Sequence, residues 1–172
     1  MKQDDSKMRS SLIWLWLAAG VLGFDRWTKV WAESQLIEGF ANTVIAGFFD
    51  LTLLYNRGAA FGFLAEAGGW QRWIFTVLAI VMSIVLIIWI KRTPLPIWWL
   101  NCGLALILGG ALGNLYDRVT QGKVVDFLSF HFGSYSFPAF NIADIAISCG
   151  AFLLIVDMLF FEKKRALQQE QA

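Results

Sequence analysis

The sequence predicts a membrane protein, mainly α, built as a four-transmembrane-helix bundle with a small extracytoplasmic β subdomain and a short interfacial helix. Composition is the first sign: of 172 residues, 58% are hydrophobic and 16% charged, with a mean hydropathy of +0.58. Soluble domains run about 25% charged, so lipid must serve as solvent for much of this apolar surface. Second, four runs of the roughly 20 apolar residues that a spanning helix needs follow one another along the chain. Third, the basic residues between those runs fall in an alternating pattern that orients them all consistently.

The first span covers about 12–31, and the run from Leu12 to Phe24 reads as a retained helix because no convincing small-x-small cleavage site leads into a soluble domain and other spans follow it. An outer connection follows over about 32–72. Within it, Asn42 to Leu54 is rich in β-branched and aromatic residues and suits short strands. Ala60 to Gly69 suits a short interfacial helix ended by Gly68 and Gly69. The second and third spans, about 73–90 and 95–119, are joined by a tight hairpin in which Pro94 and Pro96 stop one helix and start the next. A second outer connection, about 120–136, contains another strand candidate from Lys123 to Phe132. The fourth span covers about 137–161, so residues 1–166 form one integral membrane domain, with a polar tail over 167–172.

Lys2, Lys7 and Arg9 precede the first span, Lys91 and Arg92 occupy the hairpin, and Lys163, Lys164 and Arg165 follow the last. The positive-inside rule puts all three groups, and with them both termini, in the cytoplasm. Tryptophan gives an independent check, since its ring favours the headgroup level. Trp14, Trp16, Trp89, Trp98 and Trp99 fall at inner ends and Trp27, Trp31, Trp70 and Trp73 at outer ends. The net charge of +1, without a clustered basic face, argues against a nucleic-acid partner. Cys102 and Cys149 lie in apolar runs and read as small packed residues rather than a disulfide.

Charged groups in or beside a span are costly unless paired or hydrated, which makes them site candidates. Here they share one level, the outer face. Asp25 and Lys29 stand four apart at the end of span one, and Asn114, Asp117 and Arg118 end span three. Asn141 and Asp144 open span four, Asn56 and Arg57 lie in the first outer connection, and Asp126 lies in the second. A structural reading suits Asp25, Lys29, Asn114, Asp117 and Arg118 as ion pairs and braces. Asp50, Asp157 and His131 read as interfacial. Asp144 reads differently: it lies about two turns into an apolar helix with no basic neighbour in sequence. Asp126 is bracketed by Val124-Val125 and Phe127-Leu128, a setting whose desolvation lifts a carboxyl's pKa.

Two carboxyls at one low-dielectric spot do not both ionise easily, so one holds a proton while the other is a base. That is the working arrangement of an aspartic protease. His131 is the only histidine and has no Cys or second His at ligand spacing, so no metal is expected. A Ser-Lys dyad stays open on residue types alone. Gly109 to Gly113 gives span three a small-residue face suited to close helix packing. The rival functions are a small proton-coupled transporter or channel subunit, and a non-catalytic scaffold. Internal repeats and midplane sites, usual in transporters, do not show in this sequence, and a scaffold gives Asp144 no purpose.

Read together, Phe24 to Lys29, Tyr55 to Phe61, Gly109 to Arg118, Val124 to Phe127 and Phe140 to Asp144 resemble the bacterial lipoprotein signal peptidase (signal peptidase II) family. The matching stretches occur in the family's order over about 120 residues. The resemblance implies an intramembrane aspartic endopeptidase of the bacterial inner membrane, with its active site toward the periplasmic face. Asp126 and Asp144 are then the catalytic dyad. Asn56, Asn114, Arg118 and Asn141 support the dyad or hold substrate backbone, and Asp25 and Lys29 shape the site. The implied substrate is a prolipoprotein carrying diacylglycerol on its lipobox cysteine, cut on the amino side of that cysteine. The family uses no metal or other cofactor and is the target of globomycin. The outer segments, with Gly58 and Gly62 as flexible points, are expected to close over substrate in contact with membrane lipid. A monomer is expected.

Overall fold

The computed structural model describes residues 11–58, 68–133, 135–161 and 165. Helix α1 spans Leu15–Gln35, continuing a 3-10 turn over Leu12–Trp14; α2 spans Gln71–Arg92, α3 Trp98–Thr120 and α4 Ile142–Val156, the last running on as a π-helical turn over Asp157–Phe161. The strands are β1, Ala41–Ile45; β2, Phe49–Asn56; β3, Val124–Phe132; and β4, Tyr135–Ser136. The expected interfacial helix at Ala60 to Gly69 falls mainly on residues 59–67, outside the described residues, as does the polar tail.

Among the described residues three helices are long and apolar enough to cross a membrane: Gln71–Arg92, Trp98–Thr120 and Ile142–Phe161. Helix α1 has the length, but Asp25, Arg26, Lys29 and Glu33 interrupt its apolar character. The outward surface is what lipid requires. Helix α2 exposes Ile74, Val77, Val81, Ile84 and Ile88 along most of its length, and α4 exposes Phe152 and Ile155. An apolar core of Ala18, Leu86, Ile90, Leu100, Leu104, Ala105 and Leu108 lies between α1, α2 and α3.

Helix α3 is the central element and packs against the other three. Its glycines make that possible, because small residues let backbones approach closely where lipid supplies no hydrophobic drive. A Cβ on Gly110 would press into the carbonyl oxygen of Ala143, and one on Gly103 would stand 3.0 Å from the carbonyl oxygen of Gly150. A Cβ on Gly109 would meet the Ala18 oxygen of α1 at 2.7 Å.

The sheet is antiparallel with order β1-β2-β3-β4. The run from Asn42 to Leu54, expected to form short strands, lies in a hairpin of β1 and β2 turning at Gly47, whose φ of 71° suits glycine. Strand β3 matches the Lys123 to Phe132 expectation closely. His131 and Asp50 are not simply interfacial: His131 Nε2 pairs with Asp50 Oδ2 at 2.8 Å and Nδ1 with Ser136 Oγ at 2.8 Å, joining three strands.

The fourth helix starts later than the sequence suggests. Residues 137–140 are extended and bond along β3, with Phe137 N donating to Phe130 O and Phe140 N to Leu128 O. Pro138 and the N-cap Asn141 explain the delay. Asp144 therefore lies in the first turn of α4 rather than two turns into an apolar helix. Asp157, expected at the interface, is buried at the other end of α4, where it accepts two bonds from Arg165 and one from Trp99 Nε1, each 2.6 Å. Cys102 is half-buried, whereas Cys149 is exposed rather than packed; both are free thiols.

Candidate active site

The site is built from three layers of polar contact. The deepest is an ion cluster around Lys29, whose side chain is fully buried. Its ammonium donates to Asn114 Oδ1 at 3.0 Å and is ion-paired with Asp25 Oδ2 and Asp117 Oδ2, each at 2.8 Å. Arg26 also pairs with Asp117, and its guanidinium lies 4.5 Å from the centre of the Tyr116 ring. Asp25 Oδ1 accepts from Ala143 N at 2.9 Å, so α1 is tied to the first turn of α4. The expectation of Asp25, Lys29 and Asp117 as structural support matches this geometry. Arg26 was not singled out by sequence reasoning, because it lies off the face shared by Asp25 and Lys29.

The second layer is a pair of asparagines. Asn114 receives the Lys29 ammonium on Oδ1 and donates through Nδ2 to Asp144 Oδ1 at 2.8 Å. Asn141 caps α4 in extended conformation, with its Oδ1 accepting from Asp144 N at 3.0 Å and its N donating to Asp144 Oδ2 at 3.2 Å. This is a reciprocal capping box with Asp in the acidic position. The Asn141 Nδ2 points the other way, donating to Asp126 Oδ1 at 2.7 Å, Val125 O at 3.2 Å and Asn114 Oδ1 at 3.3 Å. The two amides thus connect the ion cluster to both acids.

Asp126 and Asp144 form the third layer. Asp126 faces inward from β3 and is 4% exposed; a side-chain hydrogen bond links it to Asn56 at the end of β2. Burial, followed by the charge of nearby Asp144, pushes its pKa from 3.8 up to about 7. The apolar bracket around Asp126 in the sequence points the same way. Asp144 stands at a helix N-terminus, where backbone N–H groups and the helix dipole favour a negative charge.

Both acids border a cavity of about 550 Å³ whose walls include Asn56, Asn114, Arg118, Phe137, Phe140 and Ile145. Arg118 closes one side, donating to Asn114 O and Gly58 O, each at 3.4 Å. Gly58 N in turn donates to Asn56 Oδ1 at 2.9 Å, fixing the turn that leaves β2. The site residues expected from the sequence, Asp126, Asp144, Asn56, Gly58, Asn114, Arg118, Asn141, Asp25 and Lys29, are therefore joined by one set of contacts. The apolar wall of Phe137, Pro138, Phe140, Ile147 and Cys149 was missed. Its signal lay in Pro138 and in the Asn-x-x-Asp spacing of Asn141 and Asp144, which mark a helix start and leave the preceding aromatics on a loop.

The family model for signal peptidase (SPase) II matches residues 17–160. A lipoprotein signal peptidase of Pseudomonas putida is 49% identical over 156 residues, covering 90% of each chain. One from Acinetobacter baylyi is 48% identical over 161 residues, covering 93% of this chain and 89% of its own. A bacterial membrane enzyme solved by the in meso method at 2.3 Å resolution superposes with a TM-score of 0.75 at 32% identity, covering 87% of both chains. With its apolar helices, the chain is a multi-pass membrane protein. The match over nearly its full length and the close relatives establish that it belongs to the signal peptidase II family.

Proposed function

We propose that Asp126 and Asp144 are the acids with which this peptidase removes the signal peptide from diacylglyceryl-modified prolipoproteins, on the amino side of the lipidated cysteine. Signal-peptide removal from prolipoproteins follows from family membership, which displaces the transporter and scaffold readings. The observation that carries the residue assignment is the shared support of the two acids. Asn141 reaches Asp126 and Asp144 at once, and both acids border one cavity.

The chemistry divides between them by environment. Asp126 holds a proton to about pH 7, which leaves Asp144 as the base of the pair. Asp144 takes a proton from water as the water oxygen attacks the scissile carbonyl. Asp126 donates a hydrogen bond to the developing oxyanion. When the tetrahedral intermediate collapses, the proton held by Asp144 passes to the leaving amine of the lipidated cysteine. Asn56, Asn114, Arg118 and Asn141 orient the acids or the substrate backbone, and Gly58 lets the turn after β2 approach the peptide.

The chain is read as one membrane domain over residues 1–166 with four spans, α1 being the fourth alongside the three apolar helices. Asp25 and Lys29 of this helix are fully buried, while Phe24, Trp27, Val30 and Trp31 face outward. Both termini are read as cytoplasmic in the bacterial inner membrane, with the sheet and both acids toward the periplasmic face. The cavity wall suits acyl chains and globomycin-like peptides, and the enzyme acts as a monomer.

The test is incubation of the purified protein with a diacylglyceryl-prolipoprotein, followed by mass spectrometry of the product. A new N-terminus at the lipidated cysteine, formed at the same rate with and without EDTA, is expected. Cleavage at any other bond, or loss of activity to the chelator, contradicts the reading.

A further inference from the structure

We propose that a second, basic pocket on this enzyme binds the phosphate of an anionic phospholipid headgroup. The pocket has a volume of about 590 Å³, and its walls include Arg57, Arg72, Trp73, Gln121, Gly122 and Lys123. It shares no lining residue with the acid-bearing cavity. No carboxylate lines it among the described residues, and no ion pair there engages Arg57, Arg72 or Lys123. Three cationic residues thus line one concavity that has no carboxylate among its described walls, which is an arrangement suited to an anion.

The cations are positioned as well as concentrated. Arg72 Nη2 donates to Val119 O at 2.7 Å, and its guanidinium lies 5.1 Å from the centre of the Trp73 ring. Arg72 Nε is buried without an acceptor among the described residues, and an orphaned buried donor implies a missing partner. Gly122 makes room for this guanidinium. It adopts a φ of 74°, and a Cβ there would stand 3.1 Å from Arg72 Nη1. Lys123 lies with its ammonium 3.1 Å from the centre of the Tyr55 ring. A planar guanidinium matches phosphate geometry better than any other side chain does.

The depth points to lipid as the source of that phosphate. Trp70 and Trp73 are 51% and 62% exposed beside the pocket, and indole rings collect at headgroup level. The proposal rests on reading this end of the helices as a membrane interface. Occupancy also bears on the active site. Arg57 lies between Asn56, bonded to Asp126, and Gly58, whose carbonyl receives Arg118. A lipid phosphate on Arg57 would tether that turn.

Native mass spectrometry of the intact protein with phosphatidylglycerol or phosphatidylcholine of identical acyl chains tests the proposal. Phosphatidylglycerol should be retained at least about fivefold better, the scale expected of one basic side chain near an anionic headgroup. The preference should fall to near parity in Arg57→Gln/Lys123→Gln, with circular dichroism showing retained helix and each single variant giving an intermediate value. Added inorganic phosphate should not displace the lipid. Parity in the wild-type protein, or an undiminished preference in the variants, overturns the proposal. Displacement by inorganic phosphate assigns the pocket to a free anion and overturns the lipid assignment. Impermeant-maleimide labelling of Arg57→Cys in oriented vesicles, against the wild-type protein, reports the side of the membrane separately.

Discussion

Asn141 donates through Nδ2 to the Oδ1 of Asp126 at 2.7 Å. The same residue caps the helix that carries Asp144, so one side chain sets the positions of two acids from different elements. Asn141→Ala should lower kcat by about 100-fold, the scale of a misplacement of about 1 Å in a reacting group. Loss of the cap should cost about 1 kcal/mol of stability. The Asn141 bond also holds the Asp126 pKa down, so the alkaline limb of the pH–rate profile should move upward in this variant. A purely structural role would leave that limb in place.

In the wild-type enzyme the raised pKa of Asp126 sets the pH dependence. A protonated Asp126 is the active form, so kcat/KM should fall as pH rises through about 7. Stability follows the same sign. The folded-state pKa is raised, so the associated stability is fully present below about pH 4 and is lost as pH rises through about 7. Asp126→Asn should therefore melt higher than the wild-type protein at pH 8 in detergent, although inactive. A lower melting temperature at that pH would show that the carboxyl is not held protonated by burial.

The close approach of α3 and α4 makes a third prediction. Gly110 lies against the Ala143 carbonyl, one residue before Asp144. Gly110→Ala should destabilise the protein by about 1–3 kcal/mol through overpacking. It should also shift the first turn of α4, lowering turnover at least about tenfold. Thermal melting and single-turnover cleavage on the same preparation check both effects.

Lys29 is the counter-charge for two buried carboxylates. Lys29→Met leaves Asp25 and Asp117 short of their shared partner and should cost about 3–5 kcal/mol. The double variant Asp25→Asn/Lys29→Met should recover part of that loss, since one uncompensated charge is then removed. Denaturation of both variants beside the wild-type protein measures it; no recovery would mean that the cluster is not governed by charge balance.

Much of this site was legible because the cost of polar groups near lipid concentrates information in few residues. Asp25, Lys29, Asn114, Asp117 and Arg118 stood at helical spacings that put them on shared faces, and the structure joins them. The strand from Val124 to Phe132 was legible from its β-branched and aromatic run. The start of α4 was not, because Phe137, Pro138 and Phe140 continue the apolar signal although their backbone bonds to β3. Apolar periodicity reports burial, not which backbone partner is used. The burial of Asp157 was not legible for a related reason: its partner Trp99 is 58 residues away in sequence, and no local pattern announces that contact.

The most direct measurement is cleavage of a diacylglyceryl-prolipoprotein by purified Asp126→Asn and Asp144→Asn, each verified as folded by circular dichroism. Each side chain keeps its size and loses its ionisable proton, so each variant should lose at least about 1,000-fold in single-turnover rate, as expected for removal of a general acid or base. Near-wild-type turnover by either variant would contradict the assignment of that residue to the catalytic pair.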